Sequence, residues 1–425
     1  MYVSVRDRPK PEAGAGPTGR VARRVATTVL LLGVVSLLTD VSSEMVNAVL
    51  PLYLTAQLGL SLLAYGFIDG LYQGVSALVR ILGGYLGDRG QHPKWVAALG
   101  YGVSAVSRVA LLPAHGMAAI TGVVTADRLG KGLRTAPRDS LIADVSEPSA
   151  LGRAFGVHRT LDTVGAAIGP LVAFALLVAV PDSYSSVFVV SFVFALAGVA
   201  VIVLFVPNRR TARGATTGFG VRRLFREIAA RRLRRPLIAS ALLGILTVGD
   251  GFLYLSLQQR DNLAALLFPL LYVGTNAAYL ALAVPLGRLA DRIGRAKVLV
   301  GGHIALLGTY LAAGGPLAGT LWTVVSLLLL GSFYAATDGV LPALVTGLVP
   351  AQARGSGIAA AQTVVVLARF ASSVAFGSLW VTIGRQHALL LVAALLAAAI
   401  PLTALMLLPV DRELRSTGDP APVAA

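Results

Sequence analysis

Long apolar runs separated by short polar segments repeat along the whole 425-residue chain. Within each run the apolar residues follow one another without alternation, which favours helices over the strands of a membrane barrel. A helix needs roughly 20 residues to cross a bilayer, and the runs reach that length. The pattern therefore predicts an all-α integral membrane protein with twelve spans, at about 25–56, 60–84, 95–113, 118–146, 154–179, 184–206, 236–257, 263–286, 297–315, 320–346, 356–383 and 388–409.

The composition agrees with burial in lipid. Charged residues make up 13% of the chain, whereas a typical soluble protein is about a quarter charged. There are no cysteines, so disulfides, thiolate metal sites and cysteine nucleophiles are excluded, and we expect no metal site. Arg23 and Arg24 before an apolar run resemble the start of a signal peptide, but eleven further runs follow, so we expect no cleavage.

The net charge of +16 is unevenly distributed. Basic residues cluster at both ends of the first predicted half, whereas loops such as "AQLGL" and "PLAGT" carry no charge. This bias indicates membrane topology with both termini in the cytoplasm, and it argues against nucleic-acid binding. We expect a multi-pass, monomeric plasma-membrane protein with a basic tail (1–24), a six-helix bundle (25–207), a basic linker (208–235), a second six-helix bundle (236–409) and a disordered tail (410–425).

The two halves of the chain repeat each other. "GGYLGDRGQHPK" after the second span matches "LGRLADRIGRAK" after the eighth, which places Asp88 and Asp291 203 residues apart. "LGRAFG" matches "QARGSG" at an offset of 201, measured between Arg153 and Arg354. Two six-helix halves joined by a basic loop are typical of transporters, whose binding site lies near the midplane between the halves.

These motifs resemble the major facilitator superfamily. "GGYLGDRGQHPK" and its second copy resemble the family's signature loop, and "DRLGKG" is similar to its fourth-helix motif, with Arg128 as the arginine. "GAAIGP", which contains Gly165, Gly169 and Pro170, is similar to a fifth-helix motif of proton-coupled exporters. The resemblance implies two pseudo-symmetric bundles, alternating access and proton-coupled export.

The duplicated loop is a candidate conformational latch. Asp88 lies beside Arg89, and Asp291 beside Arg292, each at a helix end where a carboxylate can pair with arginine or with a helix N-terminus. Gly84 permits a tight turn and a close helix approach. Such a pair can break and reform as helices rock, although a solvated loop that only fixes topology is the alternative.

The first span carries a polar face. Asp40, Glu44 and Asn47 fall at i, i+4 and i+7, so they share one side of a helix of 3.6 residues per turn. A bare charge near the bilayer centre costs roughly 2.5–3.5 kcal/mol or more. Two carboxyls on adjacent turns could share a proton, which is the chemistry of a proton-coupled carrier. The alternative is a structural pair neutralised by Arg128 or Lys131.

The fourth span carries a basic stripe. Arg128, Lys131, Arg134 and Arg138 follow one another at spacings of three and four residues. Asp127 and Arg128 differ by about 100° around the helix, so Asp127 does not share the face of Arg128. Arg128 is expected to pair with the acids of the first span, whereas Arg134 and Arg138 are expected to reach towards the interface.

Further candidates lie on the fifth span and in the second half. His158 and Asp162 are expected to form a local i, i+4 pair, and Gly165 and Gly169 a face for close packing. Asp250 is a second cavity acid. Other intramembrane polar residues that could line the cavity are Asp69, Gln73, Asp338, Gln362 and Arg369.

The function that the sequence predicts is proton-coupled efflux of a small organic molecule or drug, by antiport and alternating access. A proton-coupled symporter or a uniporter for an organic anion or metal chelate is the alternative. A membrane-embedded enzyme is a distant one, because no zinc-ligand spacing, nucleophile elbow or phosphate loop occurs. The expected partners are the substrate, protons and the lipid bilayer, with a proton gradient instead of a cofactor as the energy source.

Overall fold

The computed structural model of the chain describes residues 25–72, 74–75, 92–147, 150–208, 231–349 and 354–416. All regular elements in these ranges are helical, and the ranges contain no strand. Four of the residues singled out in the sequence lie outside the described residues, namely Gln73, Gly84, Asp88 and Arg89.

The described ranges contain twelve helical segments, and each coincides with one predicted span, which confirms the twelve-helix fold. In the part of the chain that the structure describes, nine are long and apolar enough to cross a membrane. The segments are α1 (Thr27–Gln57), α2 (Leu62–Tyr72), α3 (Pro93–Ala110), α4 (Gly116–Val145), α5 (Leu151–Ala179), α6 (Tyr184–Phe205), α7 (Leu233–Asp261), α8 (Ala265–Ile293), α9 (Arg295–Gly314), α10 (Thr320–Leu348), α11 (Arg354–Ile383) and α12 (Arg385–Ser416).

The last helix is longer than the sequence predicts. α12 continues to Ser416, so the first residues of the expected disordered tail are helical. Leu407 and Val410 are buried, and Leu407 belongs to a cluster with residues of α8, α9 and α10. These contacts keep the helix ordered beyond the end of its apolar run.

Three of the twelve segments are interrupted near their middle. α1 consists of a helix Thr27–Asn47, a short turn Leu50–Leu52 and a π-helical turn Tyr53–Gln57. α7 and α10 break between Ile245 and Asp250 and between Thr337 and Val340. The breaks of α1 and α7 fall at corresponding positions of the sequence repeat, and they place Asn47 and Asp250 at helix ends inside the molecule.

Side chains satisfy the backbone groups that the break in α7 exposes. The Tyr310 hydroxyl accepts from the Val248 N–H and donates to the Leu246 carbonyl, both at 2.8 Å. Ser372 Oγ donates to the Thr247 carbonyl at 3.0 Å. Irregular backbone at membrane depth is tolerated only where it is satisfied within the protein, and α9 and α11 supply those partners here.

The helices pack as two bundles. In the first half α1 packs against α5 and α6, and α3 against α4 and α6. In the second half α8 and α9 pack against α10, α9 against α12, and α7 against α11. Gly165 and Gly169 of α5 face α1, where a Cβ on Gly169 would lie 2.7 Å from the Glu44 Cβ. The small-residue packing face predicted on the fifth span is therefore used against α1.

The two bundles meet closely at one end, which we call the closed end: residues 51–72 of the first half against residues 250–257 and 370–380 of the second. It lies opposite the face at which α1 begins. A Cβ on Gly66 of α2 would collide with the Ser373 carbonyl of α11, and one on Gly377 would lie 2.5 Å from the Leu62 carbonyl. The rings of Tyr65 and Phe252 meet edge to face across the bundles, with 4.8 Å between their centroids.

Gly66→Ala is expected to lower the stability of the protein, because the added methyl group forces α2 and α11 apart at a cost of about 1–3 kcal/mol. Gly102→Ala on α3 is the matched control, since a Cβ there meets no atom within 4 Å. It should be neutral or stabilise by up to about 1 kcal/mol, because alanine favours a helix over glycine. Thermal unfolding of the purified variants in detergent measures both, and equal shifts would contradict the close approach.

Candidate functional site

The polar face of α1 is present as the sequence predicts. Asp40, Glu44 and Asn47 lie half-buried on one continuous helix, and Asn47 Nδ2 donates to Glu44 Oε2 at 3.1 Å. The helix turns them towards the interior of the first bundle, where α4 and α5 supply the neighbouring charges. This face is the starting point for the ionic contacts of the site.

The carboxyl partner of Asp40 comes from another helix. The carboxyl groups of Asp40 and Asp162 of α5 lie within hydrogen-bond reach of each other. Two carboxylates repel at this separation, and only a proton between them makes the contact favourable. The prediction that Asp40 shares its proton with Glu44 is wrong in this conformation. Glu44 lies one turn away on the same helix and takes its hydrogen bond from Asn47.

Asp162 also contacts Arg159, whose Nη1 lies 3.2 Å from Asp162 Oδ2. The predicted His158–Asp162 pair does not form, because the two side chains have different partners. His158 is buried against α1, where its Nε2 lies 2.9 Å from Ser36 Oγ. Ser36 and Asp40 are one turn apart on α1, and their partners His158 and Asp162 are one turn apart on α5. The two contacts therefore lie next to each other along the two helices.

Arg128 pairs with Asp127, its neighbour in the chain, although the two residues do not share a helix face. Its guanidinium donates to Asp127 through Nε, at 3.0 Å, and through Nη2. Asp127 also takes an ion pair from Arg108 of α3, at 2.8 Å. The expected contact of Arg128 with the acids of α1 is therefore wrong. Adjacent Cβ atoms do point about 100° apart, but the long arginine side chain curves around its own helix and closes that angle.

This ionic cluster is fully inside the first bundle. Arg108, Asp127 and Arg128 are each no more than 3% exposed. Arg108 Nη2 donates to Ser43 Oγ of α1 at 2.9 Å, and the Arg128 guanidinium lies 3.6 Å from the ring centroid of Tyr72. Arg108 was missed in the sequence, although a lone arginine in the apolar run "GVSAVSRVALLP" is a usable signal.

The remaining cations of α4 surround Asp40. Arg134 Nη2 lies 3.9 Å from Asp40 Oδ1, and its guanidinium stands 4.6 Å from the Tyr101 ring centroid. Arg134 is buried, so it does not reach for the interface as predicted. Arg138 lies 2.8 Å from Asp139 and donates to Ser36 Oγ of α1 at 3.3 Å. The Lys131 side chain makes no hydrogen bond or ion pair with the residues that the structure describes, and its charge acts on Asp40 and Glu44 from a distance.

In the second bundle Asp250 begins the inner helix of α7 and accepts a hydrogen bond from the Tyr334 hydroxyl of α10. The Arg369 guanidinium of α11 lies 5.7 Å from the ring centroid of Tyr334. Its Nε is buried without a hydrogen-bond partner in the described ranges. Asp338 lies at the break of α10, and Gln362 is half-buried on α11.

A cavity between the bundles joins the two halves of the site. Asn47, Asp69 and Asp250 are among its lining residues, so three of the candidates lie together. Ser373 Oγ donates across the bundles to Asp69 Oδ2 at 2.7 Å. Asp40 and Asp162 do not line this cavity and have their own partners on α4 and α5.

The second copy of the signature loop can be described, whereas Gly84, Asp88 and Arg89 of the first copy cannot. Asp291 Oδ1 lies 3.9 Å from Arg295 Nη2, across the Gly294 turn that separates α8 from α9. Arg295 Nη1 also donates to the Ala343 carbonyl of α10 at 2.8 Å. Arg295, which the sequence did not single out, thus ties the loop to α10 and extends the Asp291–Arg292 motif.

Asp127→Asn should destabilise the protein by about 3–5 kcal/mol, because it leaves Arg108 and Arg128 buried without their common counter-charge. Asp144→Asn is the matched control, since Asp144 is exposed at the end of α4 and the change in charge is the same. Thermal unfolding of the purified variants measures both. A loss of stability no larger than that of the control would show that solvent neutralises the two arginines.

The comparison with known proteins agrees with this architecture. The model of the Major Facilitator Superfamily matches residues 32–277 and 262–424 of the chain. An uncharacterised MFS-type transporter, MJ1317 of Methanocaldococcus jannaschii, is 29% identical over 84% of this chain and 89% of its own length. The uncharacterised protein Mb2288 of Mycobacterium bovis is 30% identical over 64% of this chain and 67% of its own.

Two solved transporters share the fold at low sequence identity. The nucleoside transporter NupG superposes with a TM-score of 0.77 at 15% identity, over 90% of this chain and 99% of its own. A POT family transporter solved with 5-aminolevulinic acid gives a TM-score of 0.76 at 13% identity, over 91% and 96%. With the family match across both bundles, the chain is a multi-pass membrane transporter that belongs to the Major Facilitator Superfamily.

Proposed function

We propose that this transporter exports a small organic molecule across the plasma membrane in exchange for protons, and that Asp40 and Asp162 carry the coupling proton. The contact between these two carboxyl groups is the observation that carries the proposal. A buried acid pair holds one proton between its members, and losing that proton places two negative charges side by side. The pair is therefore a switch whose two states differ by a large local repulsion.

Three basic residues near the pair can stabilise its deprotonated state. When the pair loses its proton, Arg134 and Lys131 of α4 can neutralise Asp40, and Arg159 can neutralise Asp162. These responses pull α1 towards α4 and loosen it from α5. Because α1 also reaches the closed end, a local change in charge biases the position of one bundle relative to the other.

The direction of transport rests on packing and topology. Gly165 and Gly169 press α5 against α1 beside the acid pair, and Pro170 lies inside the same helix. A close seal between these helices suits an exporter, because it separates the proton site from the substrate path. With the basic N-terminus in the cytoplasm, the closed end faces outward, and substrate enters from the cytoplasm.

Uptake of an organic anion or a metal chelate, by symport or uniport, is the second candidate. Lys131 has no direct partner in the part of the chain described, and Arg134 Nη1 is buried without a hydrogen bond there. Both could receive an anionic group. Transport in proteoliposomes with an imposed pH gradient, against a panel of cationic drugs, organic anions and metal chelates, separates the two candidates by the charge and direction of the accepted compounds.

Asp40→Asn should abolish proton-driven transport while leaving substrate exchange without a gradient intact, because asparagine keeps a hydrogen bond to Asp162 but carries no exchangeable charge. Asp162→Asn should have the same effect. Asp182→Asn, an exposed position between α5 and α6, is the control. Full gradient-driven transport by the Asp40→Asn, Asp162→Asn double variant would refute the coupling role of the pair.

Arg134→Gln should shift the pH midpoint of transport upward, because a nearby positive charge favours the ionised form of a carboxyl and its loss makes the proton harder to release. Arg134→Lys should keep the midpoint close to that of the wild type, since the charge remains. Arg128→Ala should change stability more than the pH profile, because Arg128 is bound to Asp127. A pH profile that depends on Arg128 and is indifferent to Arg134 would reverse these assignments.

A further inference from the structure

The cavity between the bundles is acidic. It is lined by the carboxylates of Asp69 from α2 and Asp250 from α7, one from each half of the chain. Within the described residues, no lysine or arginine nitrogen lies within the 4.0 Å that defines an ion pair with either carboxylate. Ser373 and Tyr334 each donate one hydrogen bond, to Asp69 and Asp250 respectively. Each carboxylate therefore keeps oxygen lone pairs available for a further donor.

Two buried tyrosines on the same cavity lack hydrogen-bond partners. Tyr65 of α2 is 3% exposed and Tyr272 of α8 is 8% exposed, and both line the cavity. Neither hydroxyl makes a hydrogen bond to any of the residues that the structure describes. Because both residues line the cavity, their hydroxyl groups can bond to water or to a ligand there. The two tyrosines thus line the same cavity as the two carboxylates and the Asn47 amide.

The arginines nearest to the cavity also contact other groups, although the charge of Arg369 acts on Asp69 and Asp250 from a distance. Arg128 is bound to Asp127, and its guanidinium covers one face of Tyr72 at the edge of the cavity. The Arg369 guanidinium stands over the rings of Phe333 and Tyr334, with 5.9 and 5.7 Å to their centroids. The described lining of the cavity contains two carboxylates and three tyrosine rings, and no lysine or arginine.

We propose that this cavity binds the protonated amine of a monovalent organic cation, with Asp69 and Asp250 as its two carboxylates and the hydroxyls of Tyr65 and Tyr272 as further acceptors. An ammonium group offers several N–H donors, which is what four convergent acceptors require. The proposal names the substrate class of the exporter and rests on that proposed function. It also explains how binding could affect the closed end, since the ligand contacts both bundles there.

The experiment compares three small molecules that share a tert-butyl group and differ in charge. These are 3,3-dimethylbutylamine, which is cationic, 3,3-dimethylbutanol, which is neutral, and 3,3-dimethylbutanoate, which is anionic. Saturation-transfer NMR of the tert-butyl methyl signal measures their binding to the purified full chain in a maltoside detergent. The expected order is amine, then alcohol, then carboxylate, with the amine bound at least about tenfold more tightly than the alcohol, because hydrogen bonds to charged groups are the stronger ones.

Variants then locate the site. Asp69→Asn and Asp250→Asn should each weaken amine binding about tenfold and leave alcohol binding unchanged. Tyr272→Phe keeps the ring and removes only the hydroxyl, so it remains informative if an acid variant fails to fold; it should weaken the amine about threefold. Asp144→Asn, with the same charge change at an exposed position, should bind like the wild type.

Equal binding of amine and alcohol would overturn the proposal, as would a preference for the carboxylate. Amine binding that survives both acid variants would also overturn it, because the cation would then lie elsewhere. The result is separable from the proposed coupling. Asp40→Asn should bind the amine normally although it loses gradient-driven transport, and loss of amine selectivity with intact gradient-driven transport would reject the cation site alone.

Discussion

A charge inside a bilayer must be paired, hydrated or protonated, because a bare one costs several kcal/mol. In the first bundle Asp127 holds both Arg108 and Arg128 in one buried cluster. This leaves Asp40 with Arg134 at 3.9 Å and with the carboxyl of Asp162. One shared proton removes the repulsion between two adjoining carboxylates. In the coupling that we propose, the binding of both arginines to Asp127 leaves Asp40 able to carry a proton, because neither arginine forms an ion pair with it.

The same constraint governs the backbone. α1, α7 and α10 are broken near their middle, and the exposed groups of α7 are satisfied by Tyr310 and Ser372. The breaks bring polar residues to helix ends between the two bundles, while glycines let α2 and α11 touch at the closed end. α1 carries Asp40 near its middle and continues to the closed end, which is the connection that the proposed coupling uses.

The sequence was sufficient for features that depend on local pattern. Apolar runs, basic segments and the internal repeat predicted the twelve helices, and helical spacing predicted the polar face with Asp40, Glu44 and Asn47. It was insufficient for contacts between helices. Three such contacts join residues that are distant in sequence: Asp40–Asp162, Arg108–Asp127 and Asp69–Ser373. The spacing of residues along the chain does not predict them. The Arg128–Asp127 contact was not predicted for another reason. Neighbouring Cβ atoms point about 100° apart, but the arginine side chain is long enough to curve around the helix to Asp127.

The central claim is that Asp40 and Asp162 hold one proton between them. Infrared difference spectroscopy of the purified protein during a pH jump observes it directly, since a protonated carboxyl has a carbonyl band that a carboxylate lacks. We predict a band that disappears on raising the pH and is absent from both Asp40→Asn and Asp162→Asn, yet present in Glu44→Gln. A band that persists in both aspartate variants, or that vanishes only in Glu44→Gln, would contradict the account.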